Sequence, residues 1–382
     1  MKHFGKLLMI VLVVLIFGVN VSAKDNSLTK FDKNQIKSIE KYNRMLDKFD
    51  SKYGELPDYY SGAYIDENGK LKIKITKDEK SLFKSDMDDL LIIKSDVING
   101  TVPFKSLVKS QKELSKLINE LENSNVEITG IYKDTILELL FVEVKGLDDW
   151  KIEAIQGYVN IENIEFINSE DLQVPTAATL NPINSGDNVV NFQRPTVASS
   201  VGFPATRNGQ EGYVLSGHAV SGGHRIGFED SLGMYQEVGM VTSSLIVDGV
   251  DASFVDLYPG YNVTTTTNDG KTIKYTTSGS YPQGTHFKLF GTTTYLSTLT
   301  LYDWSATTTV TYSFGNFQHN DMMRFTNLVL GGNSGGGIFL VHSSQYYTLV
   351  GNMVSSSQNL PISHGGKYSN MVTELGVTAI LG

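Results

Sequence analysis

The sequence has no cysteine among its 382 residues, which rules out a disulfide framework, a thiolate zinc site and a lipoprotein anchor. It also lacks an excess of positive charge. Its net charge is −9, whereas a protein whose main partner is nucleic acid needs clustered cations to bind phosphates. The seven histidines are scattered and none stands in an H-E-x-x-H arrangement. The sequence therefore predicts no metal site, no cofactor and no nucleic-acid partner.

The first 23 residues have the three parts of a secretory signal. Residues 1–6 carry positive charge, residues 7–19 are almost wholly apolar, and residues 21–23 are small. The apolar stretch is shorter than the roughly 20 residues that span a bilayer, although an uncleaved membrane anchor stays open as an alternative. We expect a secreted, extracellular protein that meets the membrane only through this export signal.

Composition changes between residues 170 and 190, and we place a domain boundary there. Residues 24–183 are rich in Lys, Glu and Asp, and they combine helical spacing of apolar residues at 107–121 with strand patterns at 71–75 and 136–144. This region is predicted to be α+β, and it contains no catalytic constellation. In residues 184–382, short strands are bounded by Gly, Asn and Asp, and only residues 371–375 look helical. This pattern predicts a β-barrel or β-sandwich.

Three segments of the second region each combine one chemically competent side chain with an apolar strand. They are residues 215–220 (LSGHAV), 250–255 (VDASFV) and 331–337 (GGNSGGG). The glycines around Ser334 allow a turn that exposes its hydroxyl, although a flexible Gly/Ser loop is the simpler interpretation of that segment alone. The chain order His218, Asp251, Ser334 is one of the known orders of a Ser-His-Asp triad.

Each of the three positions has an alternative interpretation or a rival residue. The segment around Ser334 also fits the G-x-S-x-G elbow of α/β-hydrolases, which requires a following helix and then an acid and a histidine downstream. Here a strand pattern follows, and no Asp or Glu lies between Ser334 and His364. Asp248 and Asp256 are the rival acids, and His224 is the nearest rival histidine.

The three segments resemble the catalytic blocks of chymotrypsin-fold serine proteases of the streptogrisin and α-lytic protease type. Residues 290–294 (FGTTT) resemble a G-x-T-T-G hairpin of that family, residues 348–355 resemble the strand that walls the primary specificity pocket, and residues 60–66 loosely resemble its pro-region. The resemblance implies an all-β double six-stranded barrel, trypsin-like, with a C-terminal helix, over residues 184–382. It also implies that residues 24–183 are an α+β pro-region that assists folding and blocks the site until it is removed.

The resemblance assigns the roles. Ser334 would be the nucleophile, His218 the general base and acid, and Asp251 the residue that orients the imidazole. The amides of Gly332 and Ser334 would form the oxyanion hole. The sequence departs from the family at Ala219, where relatives carry a disulfide cysteine, at Asn333, where an Asp is usual, and at Gly337, where a proline is usual.

Substrate-binding residues are predicted on both sides of the primary pocket: Val329 and Leu330 on one side, Ser355 and Ser357 on the other. No acid is available at the base of this pocket, and Val354 stands where glutamate-selective relatives are expected to carry a histidine. The sequence therefore predicts that an uncharged, apolar or aromatic residue precedes the cleaved bond.

The function predicted is that of a secreted serine endopeptidase, whose partners are protein or peptide substrates and its own pro-region. A catalytically silent relative that binds proteins at the cell surface is the main alternative, and a membrane-tethered processing protease is the third. The physiological substrate, the cleavage site and the oligomeric state do not follow from the sequence.

Overall fold

The structure is a computed structural model that describes residues 28–76, 83, 96–123, 126–156, 163–169, 183–194, 198–229, 235–277, 279–293, 296–357 and 360–382. The predicted export signal lies outside these residues. No helix in the described ranges has both the length and the hydrophobicity needed to cross a membrane.

The N-terminal region mixes helices and strands, as predicted. Its helices are α1 (Lys30–Tyr53), α2 (Phe104–Asn123) and α3 (Asp149–Gln156). Its strands are β1 (Tyr60–Ile65), β2 (Leu71–Thr76), β3 (Val97–Gly100), β4 (Ile128–Asp134), β5 (Leu139–Lys145) and β6 (Ile164–Ser169). Helix α1 begins at a capping box in which Thr29 and Asp32 bond to each other's backbone amides. Apolar side chains of α1 pack on β1 and β2, and those of α2 pack on β4 and β5.

The first barrel of the C-terminal region is formed by one eight-stranded antiparallel sheet. Its strands are β7 (Asn188–Asn191), β8 (Ala198–Ser200), β9 (Phe203–Arg207), β10 (Gln210–Leu215), β11 (Arg225–Glu229), β12 (Tyr235–Val247), β13 (Val250–Leu257) and β21 (Thr378–Ala379). The order across the sheet is β21-β9-β10-β13-β12-β11-β7-β8. Strand β13 is therefore central, and its residues Val250 to Val255 are all buried.

The second barrel is a closed ring of six strands. They are β15 (His286–Phe290), β16 (Ser297–Tyr312), β17 (Gly315–Phe325), β18 (Gly337–Val341), β19 (Tyr346–Ser356) and β20 (Ser363–Lys367). The order is β15-β18-β19-β20-β17-β16, and β15 closes the ring by pairing with β16. Strand β14 (Thr272–Thr276) runs parallel to β19. The predicted trypsin-like architecture is confirmed, including the C-terminal helix α4 (Tyr368–Glu374).

The N-terminal region extends the second barrel. Strand β4 pairs with β16, through Ile131 and Thr307, so that β4, β5 and β6 continue the sheet outward from the ring. Behind this junction, the buried Lys133 forms an ion pair with Asp303 at 3.1 Å. The N-terminal region is thus joined to the second barrel at β16, through backbone pairing and a buried ion pair.

Candidate active site

His218 and Asp251 lie at the edge of the first barrel. Strand β10 ends at Leu215, and His218 follows three residues later. Asp251 is the second residue of the adjacent strand β13. The Nδ1 atom of His218 lies 2.7 Å from Oδ2 of Asp251. The backbone amide of His218 donates to Oδ1 of the same carboxylate at 2.9 Å. The carboxylate therefore fixes both the ring and the backbone of the histidine.

Asp251 is fully buried, yet its carboxylate is stabilised in the ionised form. Burial raises the pKa of Asp251, but the charge and hydrogen bonds of His218 and the hydroxyl of Tyr312 lower it by more, so the net pKa falls below its usual value. When the imidazole of His218 is neutral, Nδ1 donates to the ionised Asp251 and Nε2 carries no proton, which is the tautomer that a general base requires.

Ser334 stands on a turn held by residues of the first barrel. Its carbonyl accepts hydrogen bonds from the amide of Ser200 at 2.8 Å and from the hydroxyl of Ser199 at 2.9 Å. The Ser199 hydroxyl also contacts that of Ser216, two residues before His218. The turn requires glycine at 335, because φ is +88° there and a Cβ would lie 2.8 Å from the amide nitrogen of Ser216. The serine turn is thus packed directly against the segment that carries His218.

The hydroxyl of Ser334 donates to the carbonyl of Val354 at 3.2 Å. No hydrogen bond joins Ser334 to His218 among the described residues. The structure therefore brings His218 and Asp251 into direct contact and places Ser334 on an adjoining turn. A rotation about its χ1 angle is the movement by which the hydroxyl could turn from Val354 toward the imidazole.

The two predicted oxyanion donors face no protein acceptor in the described part of the chain. The amides of Gly332 and Ser334 are without a partner there, whereas the carbonyl of Gly332 accepts from the hydroxyl of Ser200 at 2.7 Å. Gly332 has a φ of +89°, a backbone conformation that favours glycine. Two fixed N–H groups beside a serine hydroxyl can stabilise a developing oxyanion.

Asn333, the residue before the serine, is held by backbone groups on both sides of its amide. Its side chain is fully buried, donates to the carbonyl of Leu330 at 2.6 Å and accepts from the amide of Thr293 at 3.2 Å. Gly291 makes room for it, since a Cβ there would lie 2.1 Å from Oδ1 of Asn333. A neutral amide bonded to backbone groups avoids burying an unpaired charge.

The four predicted substrate-binding residues flank Ser334. Val329 is buried, and its amide donates to the hydroxyl of Ser356 at 3.1 Å, whereas Leu330 is 53% exposed. Ser355 and Ser357 are buried at the end of β19, directly after the Val354 carbonyl that accepts from Ser334. Their placement beside the serine is compatible with a pocket wall, and their role in binding stays a prediction.

Sequence reasoning missed Tyr312 and His319. The hydroxyl of Tyr312 donates to Oδ2 of Asp251 at 2.7 Å and lies 2.8 Å from Nε2 of His319. Both side chains are buried, on the hairpin formed by β16 and β17. No local motif marks them, because their contact with Asp251 depends on how the two barrels meet. Among the described residues, no group of His, Asp and Glu side chains could hold a metal ion.

Comparison with known proteins agrees with this architecture. Residues 28–131 match the family model described as a Pro-like N-terminal domain. The chain thus combines a region that matches a Pro-like domain with a trypsin-like β-domain of two barrels. No curated protein sequence matches the chain.

Solved structures of such proteases resemble about half of the chain. Protease A of Thermobifida fusca is 22% identical, covers 52% of this chain and 99% of its own, and has a TM-score of 0.41. The Nocardiopsis protease is 23% identical, with 52% and 98% coverage and a TM-score of 0.41. A glutamic-acid-specific serine protease that uses a histidine triad in substrate binding is 21% identical, with 52% and 100% coverage and the same TM-score of 0.41.

Proposed function

We propose that this chain is a secreted serine endopeptidase, made as a precursor, that hydrolyses peptide bonds through an acyl-enzyme on Ser334. The observation that carries the proposal is the buried His218–Asp251 pair, joined at 2.7 Å and packed against the turn that presents Ser334. A histidine oriented by a buried carboxylate next to a serine hydroxyl is the arrangement that activates a nucleophile.

The proposed reaction uses each group in turn. Nε2 of His218 takes the hydroxyl proton as Ser334 attacks the scissile carbonyl, and the imidazolium then gives that proton to the leaving amine. Asp251 stabilises the positive imidazole formed between these steps. The amides of Gly332 and Ser334 donate to the oxyanion, where loss of one such donor typically costs about 2.7–4 kcal/mol in the barrier. A water molecule then repeats the sequence on the acyl-enzyme.

The N-terminal domain would act as a removable pro-region, residues 24–183, after export directed by residues 1–23. Its strand β4 binds the edge of β16, whose pairing with β17 contains several register shifts. Long-range strand pairing slows the folding of β-domains, which gives a bound helper domain a physical purpose. The predicted primary pocket contains no acid, and we keep the proposal that it takes an uncharged, apolar or aromatic residue.

One observation favours the alternative of a catalytically silent binding module. The Ser334 hydroxyl is bonded to the carbonyl of Val354 and, among the described residues, not to His218. A phosphonylating reagent selective for activated serines distinguishes the two functions. We expect mass spectrometry to find one label on the peptide containing Ser334, and peptide hydrolysis to fall by several orders of magnitude in Ser334→Ala. Ser343→Ala, on a surface turn, is the matched control. Absence of both labelling and hydrolysis in the secreted protein would support the silent module.

A further inference from the structure

Three buried polar side chains form a row across the second barrel. The register pairs Arg324 of β17 with His364 of β20, and His364 with Ser355 of β19. Residues paired directly across strands project from the same face of a sheet. Their exposed fractions are 3%, 1% and 7%, in that order. We call this set the Arg324 row.

The Arg324 row has unused hydrogen-bonding capacity. Among the residues that the structure describes, Nη1 of Arg324, both ring nitrogens of His364 and the hydroxyl of Ser355 have no hydrogen-bond partner. Buried polar groups of folded proteins are almost always paired, so four such atoms in three adjacent residues require an explanation. Burial, followed by the charge of Arg324, lowers the pKa of His364 well below its usual value. The imidazole is therefore neutral at pH 7, and Arg324 supplies the positive charge of the row.

The partner of Arg324 is a carboxylate from the N-terminal domain. Nη2 of Arg324 donates to Oε1 of Glu143 at 2.8 Å, and the guanidinium lies 3.5 Å from the ring centre of Tyr132. Gly130 leaves room for the carboxylate, because a Cβ there would lie 2.4 Å from Oε2 of Glu143. If the N-terminal domain is released, Arg324 loses both its counter-charge and the aromatic ring that covers it.

The Arg324 row lies close to Ser334. The Ser334 hydroxyl bonds to the carbonyl of Val354, the residue before Ser355. On the other side of β19, Ser356 accepts from the amide of Val329 in the predicted pocket wall. Successive side chains of a strand face opposite sides, so the Arg324 row is on the face away from Val329. Ser355, predicted from the sequence to line the primary pocket, is therefore assigned to this row instead. It can bind a substrate residue other than the one preceding the cleaved bond.

We propose that Arg324, His364 and Ser355 form an anion subsite that binds an acidic side chain of the substrate, upstream of the residue in the primary pocket, and that Glu143 occupies its arginine in the precursor. The guanidinium pairs with the carboxylate, while the imidazole and the hydroxyl supply additional donors. This inference rests on the proposed endopeptidase function, and it names the substrate class as peptides with an acid at one upstream position.

Paired peptide substrates test the subsite. The full chain is expressed with its export segment, and the secreted protein is assayed on peptides that carry Glu or Gln at each of the four positions before the cleaved bond. We expect kcat/KM to be about tenfold or more higher for Glu at one upstream position, as a charge-assisted hydrogen bond implies. Arg324→Gln should abolish this preference, while Arg225→Gln, which removes an exposed arginine paired with Glu237, should keep it.

Arg324→Gln leaves Glu143 buried without its partner, and the variant could fail to fold for that reason. A second variant is therefore needed. The double variant Arg324→Gln/Glu143→Gln replaces the ion pair by two amides and should fold while lacking the preference. An active protease without an upstream Glu preference, or with one that survives in the Arg324 variants, would overturn the inference and leave the endopeptidase proposal intact.

If no peptide is hydrolysed, the endopeptidase proposal is refuted, and the anion subsite is then tested by a binding measurement. Fluorescence anisotropy compares Glu-containing and Gln-containing peptides on the full chain and on Glu143→Gln. Glu-dependent binding that strengthens in Glu143→Gln and disappears in the double variant would support the anion subsite. Equal binding of the two peptides would overturn it.

Discussion

Tyr312 of the second barrel donates a hydrogen bond at 2.7 Å to Asp251 of the first barrel, on the same oxygen that contacts Nδ1 of His218. The two barrels therefore meet at the carboxylate that orients the histidine. Burial raises the pKa of Tyr312 above its ordinary value, so the phenol keeps its proton and remains a donor. His319, at 2.8 Å from the phenol oxygen, restrains the tyrosine in turn.

This contact makes Tyr312 a positioning residue, and Tyr312→Phe tests it. We expect kcat for peptide hydrolysis to fall about tenfold with KM unchanged, because a hydrogen bond to a charged group is worth roughly 1.5–3 kcal/mol and part of that loss reaches the transition state. The hydroxyl also helps to lower the pKa of Asp251. Its removal raises that pKa, so the relative loss of activity should grow toward acid pH.

Steady-state kinetics from pH 5 to pH 9 would measure both effects. The matched control is Tyr347→Phe, which removes a tyrosine hydroxyl that donates at 2.8 Å to Asp269, outside the site. Equal losses in the two variants, or a loss that does not vary with pH, would show that the Tyr312 hydroxyl acts only through stability.

The identity of the acid can be tested against its two rivals. Asp251→Asn should lower kcat by about 10⁴-fold, because an amide in this place favours the wrong tautomer of His218. Asp248 is exposed and bonded to Asn320, and Asp256 accepts from Thr242 at 2.9 Å. We therefore expect Asp248→Asn and Asp256→Asn to change kcat less than threefold, an estimate based on their lack of contact with the triad. If either variant loses more activity than Asp251→Asn, the role of the acid belongs to the residue changed in that variant.

Sequence reasoning selected His218, Asp251 and Ser334 as candidates because each stands in a short local pattern of strand and turn residues. It could not locate Tyr312, whose contact with Asp251 joins positions 61 residues apart across two barrels. It also could not predict that β4 pairs with β16. No local sequence pattern specifies which exposed strand edge pairs with which other edge. The assignment of the N-terminal region as α+β needed only local periodicity, and it is confirmed.

One strand was predicted too long for a physical reason. Residues 136–144 read as continuous strand, but β5 begins at Leu139. The carboxylate of Asp134 accepts from the amides of Ile136 and Leu137, and Glu138 has a φ of +61°. A side chain that bonds to the backbone two and three residues later stabilises a turn. Apolar composition alone does not reveal such a turn.

Processing of the precursor gives a third prediction. The sequence places the cut between about residue 170 and residue 187, in the composition change. The backbone from Ile183 onward is bonded into the C-terminal region: Ile183 accepts from Thr264, Ser185 bridges Thr267, and Gly186 donates to Val201 at 2.7 Å. We therefore expect the cut before Ile183. The remaining candidates, residues 170–182, lie outside the described residues.

N-terminal sequencing of the secreted protein measures the cut directly. A mature chain that begins between residues 171 and 183 would agree with this prediction, and it would place the end of the pro-region slightly before the predicted boundary at residue 183. A stable, active species that begins at Lys24 would show that the N-terminal domain is retained, and the division would then describe a permanent regulatory domain.

Asp187, at the start of the first barrel, predicts a pH dependence of stability. It is 6% exposed, and burial raises its pKa to about 6 despite a hydrogen bond from the amide of Asn184. Between its unfolded pKa of about 3.9 and the folded value, the folded chain holds a proton that the unfolded chain has lost. The stability that this proton contributes is complete below the unfolded pKa and is lost as the pH rises through the folded value.

Asp187→Asn keeps an acceptor for the Asn184 amide and removes the titration. We expect the variant to match the parent at pH 4 and to be more stable by about 1–3 kcal/mol at pH 7.5, since a pKa difference of one unit corresponds to about 1.4 kcal/mol. Urea unfolding at the two pH values provides the measurement, and Glu211→Gln, at an exposed carboxylate on β10, is the control. An identical stability change at both pH values would mean that the pKa of Asp187 is the same in the folded and unfolded chains, against the raised value expected here.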